Sequence, residues 1–352
     1  MAEQKYTISD IIETYISGDW GNDKPTEEAS CPVSCIRGAD IVPIYNSEFN
    51  NIPLRYISKK SLASRTLQEG DIIIEKSGGS PTQSTGRVVY ISKELLEEKQ
   101  DVVCSNFCAA FRIKPEWDAK YVYYYLQHIY NAGVFFNFEG KTSGLKNLIM
   151  DTAFKSITIK KIAIETQRSI ATVLSTIVSK MAANRAINHY LEAMAKQLYD
   201  YWFVQFDFPD ENGNPYKSSG GKMVWNKKLK REIPEGWLHG SLLDIANYTN
   251  GLACQKFRPT DEHKLPVIKI KEMHDGFSSE TEYVTADIPE NVKVYDGDVL
   301  FSWSASLEVM LWACGSGGLN QHIFKVTSKN GYPRSFYYYQ LLNYIAHFKR
   351  MA

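Results

Sequence analysis

Two stretches early in the chain gather small polar and basic side chains around glycine. One runs Lys76-Ser77-Gly78-Gly79-Ser80-Pro81-Thr82-Gln83-Ser84 and on to Arg87. The other is Lys141-Thr142-Ser143-Gly144-Leu145-Lys146-Asn147. Backbone without a Cβ can approach a base edge or a phosphate closely. Lys and Arg supply charge, and Ser, Gln and Asn supply donors and acceptors. The candidate contacts are Lys76, Ser77, Ser80, Gln83 and Arg87 in the first stretch, and Lys141, Ser143, Lys146 and Asn147 in the second. Further on, Lys256 and Arg258 follow Asn250-Gly251, and Lys269 and Lys271 alternate with Ile268 and Ile270 as on one face of a strand. Asn320 and Gln321 follow a glycine-rich run, with His322 next; Asn and Gln suit an adenine edge. The bland alternative for every cluster is a solvated turn or strand.

Catalytic patterns are harder to find. The seven histidines are scattered, without an H-E-x-x-H pair, and no G-x4-G-K-[ST] phosphate loop is present. Asn214-Pro215-Tyr216 is similar to the Asn/Asp-Pro-Pro-Tyr/Phe motif with which adenine methyltransferases hold a flipped base. Here the second Pro is missing and the surroundings are polar, so a turn is expected. Cys31/Cys35 and Cys104/Cys108 form two C-x3-C pairs whose thiolates could bind zinc. Reduced, mostly buried cysteines are the preferred reading, with no metal and no catalytic residue in the chain. No apolar run is long enough to span a bilayer, and a cytoplasmic protein is expected. Net charge is zero over the 352 residues, with −2, +3 and −1 over 1–160, 161–235 and 236–352. Autonomous nucleic-acid binders are usually basic, so contacts must come from local clusters or from a partner.

The elements that would position these groups suggest an α+β class, with two mixed α/β modules separated by a long coiled-coil-like helix. Residues 1–163 read as the first module. Ile72 to Ile74 form an apolar strand before the Gly-rich loop, and Val88 to Ile91 resume it. Residues 164–206 hold no Gly or Pro between 164 and 203 and carry Ile170, Leu174, Ile177, Met181, Asn184, Leu191 and Leu198 at heptad positions. Residues 207–235 read as a linker rich in Pro, Gly, Asn, Ser and Lys.

Residues 236–352 read as a second module that repeats the first. Gly70-Asp71-Ile72-Ile73-Ile74 echoes Gly297-Asp298-Val299-Leu300-Phe301, Asn106 echoes Asn320, and the Tyr123–Tyr125 triplet echoes Tyr337–Tyr339. The triplets read as helix packing rather than base stacking. Only 13 residues follow Tyr339, so the second module is expected to stop short of a second long helix.

The residues GDIIIEKSGGSPTQSTGR, ETQRSIATVL and FDFPDENGNPYKSSGGKMVWNKKLKREIPEGW, with GSLLDIANYTNG and LPVIKIKEM after them, resemble the specificity subunit of a type I restriction–modification enzyme. Thr166 departs from the usual Glu-Gln helix start. The resemblance implies two target-recognition domains, each reading half of a bipartite double-stranded DNA site, and helices that set the gap. It implies methylation subunits using S-adenosylmethionine, restriction subunits using ATP, and no cofactor in this chain. The apolar helix is expected to seek a partner, such as a second copy. The competing readings are the specificity portion of a fused methyltransferase or nuclease, and a self-associating DNA-binding regulatory protein.

Overall fold

The computed structural model describes residues 5–79, 83–142, 145–304 and 306–351. Ser80 and Ser143 lie outside the described residues, and for Lys141 only the backbone is described. The chain divides into two compact units, Met1–Asn188 and His189–Ala352, with the boundary inside a long helix.

The first unit is built on the Ile72–Glu75 strand. It sits in a four-stranded antiparallel sheet ordered Ile12–Ser17, Cys108–Ile113, Ile72–Glu75, Val88–Tyr90. Side chains alternate across a strand, so Ile72 and Ile74 enter a core with Phe111, Phe135 and Phe154, while Ile73 enters another with Ile36, Ile91 and Ala110. A sheet covered on both faces explains the unbroken apolar run. A second sheet pairs Cys31–Ile36 antiparallel with Leu54–Ile57 and parallel with Val102–Cys104. The tyrosine-rich helix Ala119–Asn131 buries Val122, Leu126 and Ile129 against the first core. Asp118 caps it, its Oδ1 accepting from Tyr121 N at 2.8 Å.

The second unit repeats this plan. Its main sheet runs Ala246–Asn250, Ile323–Ser328, Val299–Ser302, Glu308–Leu311, all antiparallel. Its side sheet pairs Lys264–Ile268 parallel with Gly317–Leu319. Val299 and Leu300 again go to different cores, Leu300 beside the fully buried Trp312. The helix Arg334–Met351 carries the second tyrosine triplet and buries Tyr337.

Backbone hydrogen bonds fix the correspondence residue by residue. Gly70 N donates to Ile91 O and Gly297 N to Trp312 O; Ile91 N then donates to Asp71 O and Trp312 N to Asp298 O. Both glycines have φ near +90° (92° and 89°), where a side chain would be strained. The Gly-Asp echo in the sequence is therefore structural. The Asn106–Asn320 echo is corrected. Ser105 N donates to Ile36 O and Asn320 N to Ile268 O, while Cys108 N and Ile323 N close the same turn onto Ser105 O and Asn320 O. Ser105 thus corresponds to Asn320, Asn106 to Gln321 and Phe107 to His322. A single matching letter was one position out of register with the backbone frame.

The long helix spans Ile164–Tyr199, 36 residues, or about 54 Å at 1.5 Å per residue. A π-helical turn, Asp200–Val204, follows it. Gln167 anchors its start in the first unit. Although polar, this residue is fully buried; its Nε2 donates to Ile162 O and its Oε1 accepts from Asp118 N. The heptad positions are largely open: Ile177 is 50% exposed and Leu191 56%.

Residues 207–235 fold into turns and a hairpin, Met223–Asn226 with Arg231–Pro234. Asp207 accepts from Ser218 N and Oγ, and Phe208 stacks on both Tyr216 and Trp237. Among the described residues, no helix is long and apolar enough to cross a membrane.

Candidate nucleic-acid interface

In the first unit, the loop residues gather where the Ile72–Glu75 strand ends. Lys76 N and Ser77 N both donate to Phe107 O, at 2.8 and 3.0 Å. Ser77–Gly78 then joins a small sheet with Leu145–Leu148 and Glu139–Thr142, pairing Ser77 with Asn147 and Gly78 with Lys146. The Ser77 hydroxyl donates to Asn147 Oδ1. Two candidate stretches seventy residues apart in the chain thus become one surface.

The cations there are committed to different extents. Arg87 makes a bidentate pair with Glu75, Nε to Oε2 at 2.8 Å and Nη2 to Oε1 at 2.6 Å. Both side chains are nearly withdrawn from water, at 13% and 3% exposure, and the carboxylate raises the arginine's pKa. Glu75 is also crowded: a Cβ on Gly38 or Gly78 would lie within 2.7 Å of its Oε1. Arg87 therefore shapes the loop from beneath. Lys146 lies 3.3 Å from Glu139 Oε2, donates to Gln83 O and sits over the Phe136 ring. Lys76 is half-buried beside the exposed Phe107. Also in this unit, a groove of about 750 Å³ runs along the long helix and is lined by Lys120, Arg168 and Lys180, with Asp118.

In the second unit, the IKIK segment does not continue as a strand. The strand ends at Ile268, Lys269 caps the short helix Ile270–Asp275, and Glu272 Oε2 accepts from Lys269 N. A strand cannot alternate through this cap. Lys269 and Lys271 are ion-paired with Glu282 and Glu280, each at 2.6 Å. A cavity of about 380 Å³ lies at the ends of the two parallel strands, lined by Cys254, Lys269, Glu282, Asn320, Gln321 and His322. It brings together three predicted residues, Lys269, Asn320 and Gln321. Lys256 and Arg258 are exposed but do not line it.

Several groups escaped the sequence reading. Glu75, at the end of an apolar run, carried the signal of a buried charge needing a partner. Phe107, Glu139 and Trp303 gave no signal, because their importance comes from neighbours remote in sequence. Of the two C-x3-C pairs, Cys35, Cys104 and Cys108 are buried and Cys31 is half-buried. Burial pushes Cys35 up to about 12, Cys108 up to about 11 and Cys104 higher still. Among the described residues no cluster of three or more His, Cys, Asp or Glu is placed to hold a metal ion. At the Asn214-Pro215-Tyr216 triplet, Asn214 N donates to Asp210 Oδ1 and Tyr216 packs on Phe208, which makes it a turn. Tyr123 is half-buried, packed against the first core and beside the Tyr90 ring, in keeping with a packing role.

A family model described as the type I restriction modification DNA specificity domain matches residues 4–193. The type I restriction enzyme MjaIX specificity subunit of Methanocaldococcus jannaschii is 25% identical over 252 residues, covering 69% of this chain and 54% of that protein. The EcoBI specificity subunit of Escherichia coli is 28% identical over 116 residues, covering 32% of this chain and 24% of that one. The chain spans about half the length, or less, of these curated relatives. Among solved structures, the S subunit of a type I restriction-modification system from M. genitalium aligns over 100% of this chain and 79% of its own, with a TM-score of 0.55 at 15% identity; the likeness is one of fold.

Proposed function

Because the chain belongs to the type I restriction–modification DNA specificity domain family, we propose that it selects a bipartite double-stranded DNA site for a methylation–restriction complex. Each unit reads one half-site, and the chain itself carries out no bond-breaking step. The observation that carries this reading is the surface at the end of the Ile72–Glu75 strand, where Ser77, Gln83, Lys146 and Asn147 converge at the edge of a small sheet. Side chains of this kind hydrogen-bond base edges and phosphates. The second unit reuses the same strand frame and gathers Lys269, Asn320 and Gln321 around one cavity. The overall neutral charge is offset locally by Lys120, Arg168 and Lys180 along the first unit's groove.

The long helix acts as the spacer. Half-sites one helical turn apart lie about 34 Å from each other, within the roughly 54 Å that 36 helical residues cover. Methylation subunits supply the S-adenosylmethionine chemistry on an adenine turned out of the duplex, and restriction subunits supply ATP-driven cleavage. The open apolar positions of the helix, Ile177 and Leu191 among them, form the docking face for those subunits or for a second copy. Substituting both with Asp abolishes that association, as read by light scattering with and without the methylation subunit; an unchanged assembly removes the helix from the interface.

The decisive experiment is to map adenine methylation in cells that carry this chain together with a methylation subunit. A two-part motif with a fixed gap is expected, and its parts change when the loops around Ser77 and Gln321 are exchanged. Methylation that is independent of this chain overturns the reading.

A further inference from the structure

At the tip of the shared frame the two units differ in sequence but display the same kind of surface. In the first unit, Phe107 accepts from Lys76 N, so the two residues are neighbours. The Phe107 ring is 57% exposed, while its turn is closed by Cys108 N donating to Ser105 O at 2.9 Å. In the second unit the same two backbone positions are held by His322 and Trp303, with Trp303 N donating to His322 O at 3.4 Å. Trp303 is 44% exposed. Its Nε1 donates to Asn250 Oδ1 at 3.4 Å, and its ring lies 5.9 Å from that of His322 and 6.0 Å from that of Phe324. Each unit therefore shows one exposed ring beside one nitrogen base, with the two positions exchanged.

A single exposed aromatic on a protein surface needs no explanation. Recurrence within one pair of facing backbone positions in two divergent sequences, on backbone held by the frame, does need one. Leaving such a ring in water forgoes the free energy of burying it, and that is recovered when a partner covers it.

We infer that Phe107 and Trp303 are specificity-determining residues, each pressing its ring against a thymine methyl in the major groove of its own half-site. The inference rests on the DNA-reading function proposed above. The thymine C5-methyl is the apolar feature of the major groove, and a Phe side chain is a suitable contact for it. Lys76 and His322, beside the rings, are placed to reach the adjoining phosphate or base edge.

The test begins with the full chain, at low salt, selecting from a pool of random double-stranded oligonucleotides. Sequencing the bound duplexes gives a consensus. Phe107→Ala should erase base preference in one half of it and Trp303→Ala in the other. Each should weaken binding to the selected duplex on the order of tenfold and leave binding to an unrelated duplex unchanged. Replacing the affected thymine with deoxyuridine should weaken the parent protein but not the matching variant. Both rings are exposed, so unchanged thermal unfolding separates lost contact from lost fold. An unaltered consensus, loss in the same half for both variants, or indifference to deoxyuridine overturns the inference while leaving DNA reading intact. If the parent chain enriches no duplex, the proposed function fails and this inference fails with it.

Discussion

The two units hold the same strand at the same place and finish it differently. In the first, the strand ends on Glu75, buried and locked to Arg87, the residue just before the neighbouring strand. In the second, the corresponding pair is Ser302 and Glu308, matched across the same ladder. Ser302 turns its hydroxyl to the Ser304 and Ser306 carbonyls, and Glu308 reaches out to His274 at 3.0 Å. One unit has a buried ion pair under its candidate loop; the other has a hydroxyl and a half-exposed pair. The strand frame is set by backbone bonds and core packing that tolerate many side chains. The strand's end is where charge can be inverted without disturbing that frame, and that is also where the candidate contacts lie.

The largest expected effect tests the buried pair. Arg87→Ala leaves Glu75 desolvated and unpaired, and should cost about 3–5 kcal/mol, read by denaturant unfolding of the full chain. The double change of Glu75→Gln with Arg87→Met removes both charges and should cost clearly less. A double variant as damaged as the single one would mean that Arg87 acts through packing rather than charge.

A smaller and symmetrical effect tests the frame. A Cβ at Gly18 would lie 1.9 Å from Ser105 O, and one at Gly251 would lie 2.2 Å from Asn320 O. Gly18→Ala and Gly251→Ala should each destabilise by about 1–3 kcal/mol through overpacking. Strongly unequal losses would break the equivalence of the two turns. The smallest effect belongs to Glu308. Its partner His274 is half-exposed, so solvent screens the pair, and Glu308→Ala should change stability by less than about 1 kcal/mol. A loss comparable to that of Arg87→Ala would erase the contrast between the units.

Much of the fold was readable before any coordinates. The Ile72–Ile74 run, the glycine-aspartate echo and the forty-residue stretch without Gly or Pro each follow from a local rule, and each appears where that rule puts it. The candidate site was less legible. Ser77 and Asn147 were both singled out, but nothing local says that they touch. Lys269 and Lys271 look like alternating strand residues until the Glu272 cap turns the chain into a helix. Asn106 looks like the partner of Asn320 until the turn hydrogen bonds shift the match by one residue.

By itself the amino-acid sequence determined the periodicities: which runs are strands, which stretch is one long helix, and that two modules share a plan. These depend on neighbours two to four residues away, and so are written locally. Only the tertiary structure decided that Arg87 spends its charge on Glu75, that Lys146 is held by Glu139, and that Phe107 stands in water beside Lys76. Whether a cation is free or committed, and whether a ring is covered or bare, depends on residues brought close by sheet pairing. Sheet pairing joins segments whose separation along the chain carries no information about their distance in space.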